Sequence, residues 1–185
     1  VFDVSEVEGG LEVVRLGGKG QSNTLHLEAK DGREFVLRSV DKQAGKVWDD
    51  ALKQSVALQV AQDQFSMLNP FAPLIVAKLA KPAGVNYLEP TYYVVPDDPL
   101  LGEYGDLMAG KLALFEQKPD NDMSDVASVG NPDEVISHMD MMREIDGDID
   151  HRVDAELFAR SRLFDLLIGD WDRHYDQWRW AAVEP

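Results

Sequence analysis

A chain of 185 residues, 44% hydrophobic and 28% charged, has the length of one domain or a small two-lobed one, and its composition excludes wholesale disorder and fibrous repeats. The formal charge of −16, from 34 acidic against 18 basic residues, repels phosphate backbones and argues against nucleic acid as a partner, so any phosphate site must be local. With no cysteine there is no disulfide, cysteine zinc site or thiol nucleophile. No apolar run approaches the roughly 18 to 20 residues that span a bilayer, so no membrane insertion of this segment is expected, and no basic-then-apolar start reads as a signal peptide. A chain that opens on Val1 and stops at Pro185 directly after a strand-like stretch reads as a piece of a larger protein.

Leu11 to Leu16 is strand-like, the glycine-rich stretch from Gly17 to Asn23 is a turn, and Thr24 to Ala29 alternates again. Asp31-Gly32 is a second turn signal leading into Glu34 to Val40, so three antiparallel strands are expected at the start. From Trp48 to Leu68 neither Gly nor Pro occurs, and Leu52, Val56, Val60 and Ala61 recur at helical spacing, which predicts one long helix over about 48–68. Leu74 to Ala80 is apolar and of ambiguous type. Thr91 to Val95 and Lys111 to Glu116 read as strands separated by a loop rich in Pro, Gly and Asp.

Residues 120–131 are polar and turn-rich, a linker by composition. Pro132 to Ile145 then reads as a helix with Asn131 as its cap and Pro132 at its first position. A second helix is expected from Asp154 to Ile168, with Leu157, Phe158, Leu163, Phe164 and Leu167 facing a core and Gly169 stopping it. Trp178 to Val183 looks like a strand. The division is therefore 1–119 strand-rich with one inserted helix, 120–131 linker, and 132–185 helical, an α+β chain.

The stretch Asp170-Trp171-Asp172-Arg173-His174-Tyr175-Asp176-Gln177 sets three carboxylates, an imidazole, a guanidinium and an amide within eight positions. Phosphoryl transfer needs a carboxylate to accept the proton of the attacking hydroxyl, and an oxygen ligand a few residues later for the cation that neutralises the phosphates. Protein kinases use an Asp and an Asn five residues downstream. Asp172 is followed at that interval by Gln177, whose carbonyl is a hard oxygen ligand, and Asp176 beside it is a second candidate.

Leu163 to His174, with its Asp-Arg-His, resembles the helix and catalytic loop of the secreted casein-kinase-type enzymes of the Golgi, a theme shared by spore-coat and phosphoinositide kinases. The resemblance implies an atypical protein-kinase-like, two-lobed fold: an antiparallel N-terminal sheet with a long helix in 1–119, and in 132–185 part of a helical C-terminal lobe with its catalytic-type loop at 170–177, truncated before the second metal-binding Asp. It implies Asp172 as the catalytic carboxylate, Gln177 or Asp176 as ligands of Mg2+ or Mn2+, and ATP as the nucleotide, with an unknown acceptor or protein partner. Family members carry Asn or Glu where this chain has Gln177.

Around this loop the other parts follow in kinase order. Gly18, Lys19 and Gly20 open an approximate Gly-x-Gly-x-x-Gly turn, with Asn23 at the third glycine, which would cover phosphates. Arg38 occupies the place of the phosphate-binding lysine in the third strand, with Lys42 as the alternative, and arginine there is not a neutral exchange. Glu116, Gln117 and Lys118 fall where the resemblance places the adenine-holding hinge.

A catalytically silent kinase-like module is the second reading, favoured by Arg38 and Gln177. The chain also resembles the segment between a calcineurin-like phosphoesterase and an outer-membrane barrel in large bacterial envelope proteins, which would imply the periplasm or cell envelope and a role in assembly. A metal-dependent hydrolase built on Asp170, Asp172, His174 and Asp176 is the third. Asp146-Gly147-Asp148-Ile149-Asp150 begins like a calcium loop but places His151 at the glycine position, so it reads as a solvated acidic turn.

Overall fold

The computed structural model describes residues 1–17, 22–42, 69–171 and 173–183. The helix expected at about 48–68, the turn residues Gly18, Lys19 and Gly20, and Asp172 lie outside the described residues. Within them the chain is α+β, with a five-stranded antiparallel sheet, a two-stranded ribbon and four α-helices. It divides into two compact units, Val1–Ala72 with Pro90–Lys118, and Pro73–Glu89 with Pro119–Pro185.

The first unit is built on strands β1 (Leu11–Gly17), β2 (Thr24–Ala29), β3 (Glu34–Ser39), β4 (Thr91–Val94) and β5 (Leu112–Gln117), in the order β1-β2-β3-β5-β4. Alternation sends one set of side chains to a core face, where Leu25, Leu27, Phe35, Leu37, Ala113 and Phe115 are buried. The Phe115 ring stacks on Phe35 at 5.1 Å and meets Phe2 at 5.7 Å and Tyr93 at 5.9 Å. The β2–β3 turn closes as Asp31-Gly32 predicts. Gly32 takes φ +88°, and Arg33 donates through its backbone N and its Nε to the Asp31 carboxylate at 3.1 and 2.8 Å.

Two features of this unit are not visible in the strand pattern. The first residues complete the core: the Phe2 amide donates to the Val94 carbonyl at 2.9 Å, and Phe2 and Val4 are buried. The Pro/Gly/Asp-rich connection between β4 and β5 is not an open loop. It forms a 3-10 turn, Pro99–Tyr104, capped by Asp98, followed by the single-turn helix α2 (Gly105–Met108). Together they bury Leu101 and Met108 under the sheet.

The second unit holds most of α1 (Ala72–Ala83), then β6 (Glu134–Ser137), α3 (His138–Gly147), α4 (Ala155–Ile168) and β7 (Arg179–Ala182), with β6 and β7 paired antiparallel. The ambiguous stretch Leu74 to Ala80 is thus the body of a helix. Pro132 to Ile145 differs from the helix expected there. Asn131 adopts φ +51°, and Glu134–Ser137 is a strand because the branched Val135 and Ile136 pair with Ala181 and Trp180. The helix starts only at His138, where the Ser137 hydroxyl accepts the Asp140 amide at 3.2 Å and supplies a better cap than Asn131. Residues 120–131 are not a free linker, since Met123 is fully buried and the Asn121 carbonyl accepts the Val135 amide at 2.8 Å.

The ends of α4 follow the sequence. Asp154 accepts the Leu157 amide at 2.9 Å, and Gly169 closes the helix at φ +76°. Its burial does not. Phe164 and Asp165 are the buried residues, while Leu163 is 67% and Leu167 80% exposed. The apolar positions lie around the helix rather than along one stripe, so no single face can cover them all. Among the described residues no helix is long and apolar enough to cross a membrane.

Candidate functional site

The face of the sheet opposite the core carries Arg15, His26, Arg38 and Glu116, together with the carboxylate row Glu12–Glu28–Glu34. Cross-strand neighbours share a face, so the row Arg15–His26–Val36–Glu116 and the next row Gly17–Thr24–Arg38–Leu114–Tyr92 lie side by side. Lys118, just past β5, reaches Glu34 at 2.8 Å on the same face. Arg15 belongs here because of a bulge in β1 between Val13 and Arg15. Without it, strict alternation would place Arg15 on the core face with Leu11 and Val13.

His26 is the centre of this set. Arg15 Nη2 approaches His26 Nδ1 at 3.5 Å, and the imidazole lies over Gly17, where an added Cβ would come within 2.5 Å of Nε2. Burial pushes the imidazole below its ordinary range, and Arg15, Lys118 and Arg38 push it further, against a weaker pull from Glu34. One row on, Arg38 Nη2 stands 3.9 Å from Glu116 Oε1. Burial raises the Glu116 carboxyl while Arg38 opposes the rise. Glu116 in turn adds to the upward push that burial gives the Tyr92 phenol, whose hydroxyl donates to the Pro70 carbonyl at 2.7 Å.

Of the residues expected to bind nucleotide, Arg38 and Glu116 are therefore brought together by side chains, and Lys118 lies on their face. Glu116 and Gln117 are the last residues of β5, and the division between the units follows directly after Lys118. Lys42 is exposed beyond the end of β3.

In the second unit the loop after α4 is tied down by one arginine. Arg173 donates from Nε to Asp170 Oδ2 at 3.1 Å, and its Nη2 stands 3.0 Å from Asp170 Oδ2 and 3.3 Å from Asp165 Oδ1. Arg162 Nη1 donates to the other oxygen of Asp165 at 2.7 Å. The Asp165 carboxyl, 5% exposed, is thus held between two guanidinium groups; burial still pushes it up, against the pull of Arg173 and Arg162. Both guanidiniums also lie over the Trp178 ring, Arg173 at 5.5 Å and Arg162 at 5.7 Å from its centroid, and Phe158 packs on Trp178 and Trp180.

This brace sets the entry and exit of the loop that contains Asp172. Tyr175–Gln177 forms a 3-10 turn whose Gln177 amide donates to the His174 carbonyl at 3.0 Å. Asp176 and Gln177 are consecutive and exposed in it, and His174 is half in solvent with Nδ1 4.0 Å from Asp176 Oδ2. Asp146 to Asp150 is an exposed turn, with the Asp150 amide donating to Asp148 Oδ1 at 2.9 Å. Among the described residues no group of three or more His, Asp or Glu side chains is gathered in a metal-holding arrangement.

Sequence reasoning passed over Arg15, His26 and Glu34, whose placement depends on the bulge and register. It also passed over Asp165, a charged residue within an apolar helical run, which was itself the available signal. The chain matches no family model, no curated protein and no solved structure.

Proposed function

We propose that the chain is a kinase-like phosphotransferase domain, binding ATP with Mg2+ or Mn2+ and passing its terminal phosphate to an acceptor hydroxyl. The observation that carries this reading is the Arg38–Glu116 pair on the face opposite the core of a five-stranded antiparallel sheet, whose first two strands are separated in sequence by a glycine-rich segment. A guanidinium with a carboxylate 3.9 Å away has the chemistry to engage phosphate oxygens in pairs. Asp172 would accept the acceptor's proton, and the Asp165–Arg173–Asp170 brace would hold its loop in place. Asp176 and Gln177 offer oxygen ligands suited to a hard cation, which when bound would neutralise phosphate charge.

The second reading, a silent kinase-like binding module of a bacterial envelope protein, draws on Gln177, a neutral amide where a stronger ligand is expected. The hydrolase reading is the weakest, because Asp170 is already committed to Arg173. A thermal-shift titration with ATP and Mg2+ or Mn2+, followed by a transfer assay on generic protein and small hydroxyl acceptors, separates the three. An enzyme gives a shift and transfer, and Asp172→Ala lowers transfer by about 10²- to 10⁴-fold while leaving the shift. A shift without transfer selects the silent module, and metal binding without any response to nucleotide selects the hydrolase.

A further inference from the structure

Helix α4 has two apolar faces, and the fold of its unit uses one of them. The inward face runs through Leu157, Ser161, Phe164, Asp165 and Ile168, which recur at helical spacing and are buried or half-buried. The opposite face carries Ala155, Ala159, Leu163 and Leu166, with Leu167 beside them, and all are exposed. Leu163 is 67%, Leu166 50% and Leu167 80% open to solvent, and Trp171, 80% exposed just past the Gly169 cap, continues the stripe. A surface helix ordinarily fills that face with charge. Here the charged residues stand at its margins and are already paired: Arg160 with Glu156 at 2.6 Å and with the Gly84 carbonyl at 3.3 Å, and Arg162 with Asp165 at 2.7 Å. An apolar stripe inside a satisfied polar rim is the anatomy of a protein contact surface.

The two ends of the helix set the chemistry of what covers it. Asp146, Asp148, Asp150 and Asp154 precede the helix against Arg152. Asp170, Asp172 and Asp176 follow it against Arg173, whose guanidinium is taken by Asp165 and Asp170. Between them α4 is neutral, with Glu156 and Asp165 matched by Arg160 and Arg162. At about 1.5 Å per residue its 14 residues hold the acidic ends about 20 Å apart. Because both ends have the same sign, a second copy packed along α4 in either direction sets acid against acid, and an anionic bilayer meets the same repulsion. A helix with apolar residues at helical spacing and Lys or Arg at both ends meets neither penalty.

We propose that this face of α4 docks an amphipathic helix of a partner protein, its apolar side laid along Leu163, Leu166, Leu167 and Trp171 and its basic ends against the acidic segments that flank α4. The surface does not depend on the phosphotransferase reading. It leads directly into the loop that contains Asp172, so the docked chain lies next to that loop.

The test is calorimetric titration of the 185-residue chain with two designed helical peptides of α4's length, 14 residues, which share one leucine face and carry either lysines or glutamates at both ends. The double variant Leu163→Gln with Leu167→Gln is compared with the parent and with Leu100→Gln, a leucine of the first unit that is 65% exposed. All three changes lie at the surface, and an unchanged far-ultraviolet spectrum checks that the variants fold. The lysine-ended peptide should bind the parent at least about tenfold more tightly than the double variant, because two leucine contacts are lost, and Leu100→Gln should match the parent. The glutamate-ended peptide should bind at least about tenfold more weakly than its lysine counterpart, with salt narrowing the gap. Equal binding of the lysine-ended peptide to parent and double variant reports only attraction to a chain of charge −16 and overturns the docking face, as does binding of neither peptide. Sedimentation of the chain alone, and flotation with vesicles of phosphatidylglycerol and phosphatidylcholine, decide the other occupants. A monomer that ignores the vesicles is expected. A dimer or vesicle binding that the double variant loses gives the face to a second copy or to lipid and overturns the proposal.

Discussion

The two units are held by different forces. In the first, one face of the sheet is apolar and closed, with Leu25, Leu27, Leu37 and Ala113 at 1% exposure or less, so burial fixes the register and the register places the charges on the other face. In the second, the buried apolar side chains are scattered as Ala77, Ala80, Met123, Val135, Met141 and Phe164, and the functional loop is positioned by ion pairs and stacked rings. A site organised by a sheet tolerates changes to its charges without losing its frame. A loop organised by one arginine does not.

The largest expected effect is on the frame. Phe115→Ala removes a ring 6% exposed and in contact with Phe2, Phe35 and Tyr93, and should cost about 3–5 kcal/mol, measured by denaturant unfolding followed in the far ultraviolet. A loss below about 1 kcal/mol would mean that the sheet is not held by this core and would break the comparison.

Asp165→Ala should come next, at about 2 kcal/mol, because it leaves two guanidiniums without their shared acceptor; both arginines are partly exposed, which keeps the cost below that of a fully buried pair. Three of the four tryptophans, Trp171, Trp178 and Trp180, belong to the second unit and Trp48 to the first, so in a Trp48→Phe background tryptophan emission should shift while the sheet signal persists. Unaltered emission would show that the rings alone hold the loop.

Legibility followed the same division. β1, β2, β3 and β5 could be read because their alternation reflects one closed core, and the ends of α4 because Asp154 and Gly169 act through local hydrogen bonding and backbone conformation. The strand at Glu134–Ser137 could not, since a partner more than forty residues away along the chain decides between strand and helix for Val135-Ile136. The position of Arg15 depends on a bulge, and no periodicity announces one. At the candidate site, residue types were legible at Arg38, Glu116 and Lys118, but the pairing of Arg38 with Glu116 was not, because it follows from the β3–β5 register.

Gly17→Ala sharpens the link between frame and site. The new methyl would meet His26 Nε2 at 2.5 Å, so the imidazole must move, at an expected cost of about 1–2 kcal/mol. The double variant Gly17→Ala with His26→Ala should recover most of it, since the clash then has no second partner. A cost that survives in the double variant would place the strain in the β1 backbone instead.

The smallest effect is a dependence on pH. The folded chain holds His26 below its ordinary value of 6.5, through burial first and then through Arg15, Lys118 and Arg38. The unfolded chain, whose imidazole titrates normally, therefore binds more protons in that window. Stability should thus fall as pH drops below about 6.5, until the folded imidazole itself titrates, and should gain nothing further from His26 above it. His26→Gln should remove this component, so that parent and variant differ in the slope of unfolding free energy against pH only below neutrality. Parallel slopes for parent and His26→Gln would show that the imidazole does not titrate differently in the folded and unfolded chain.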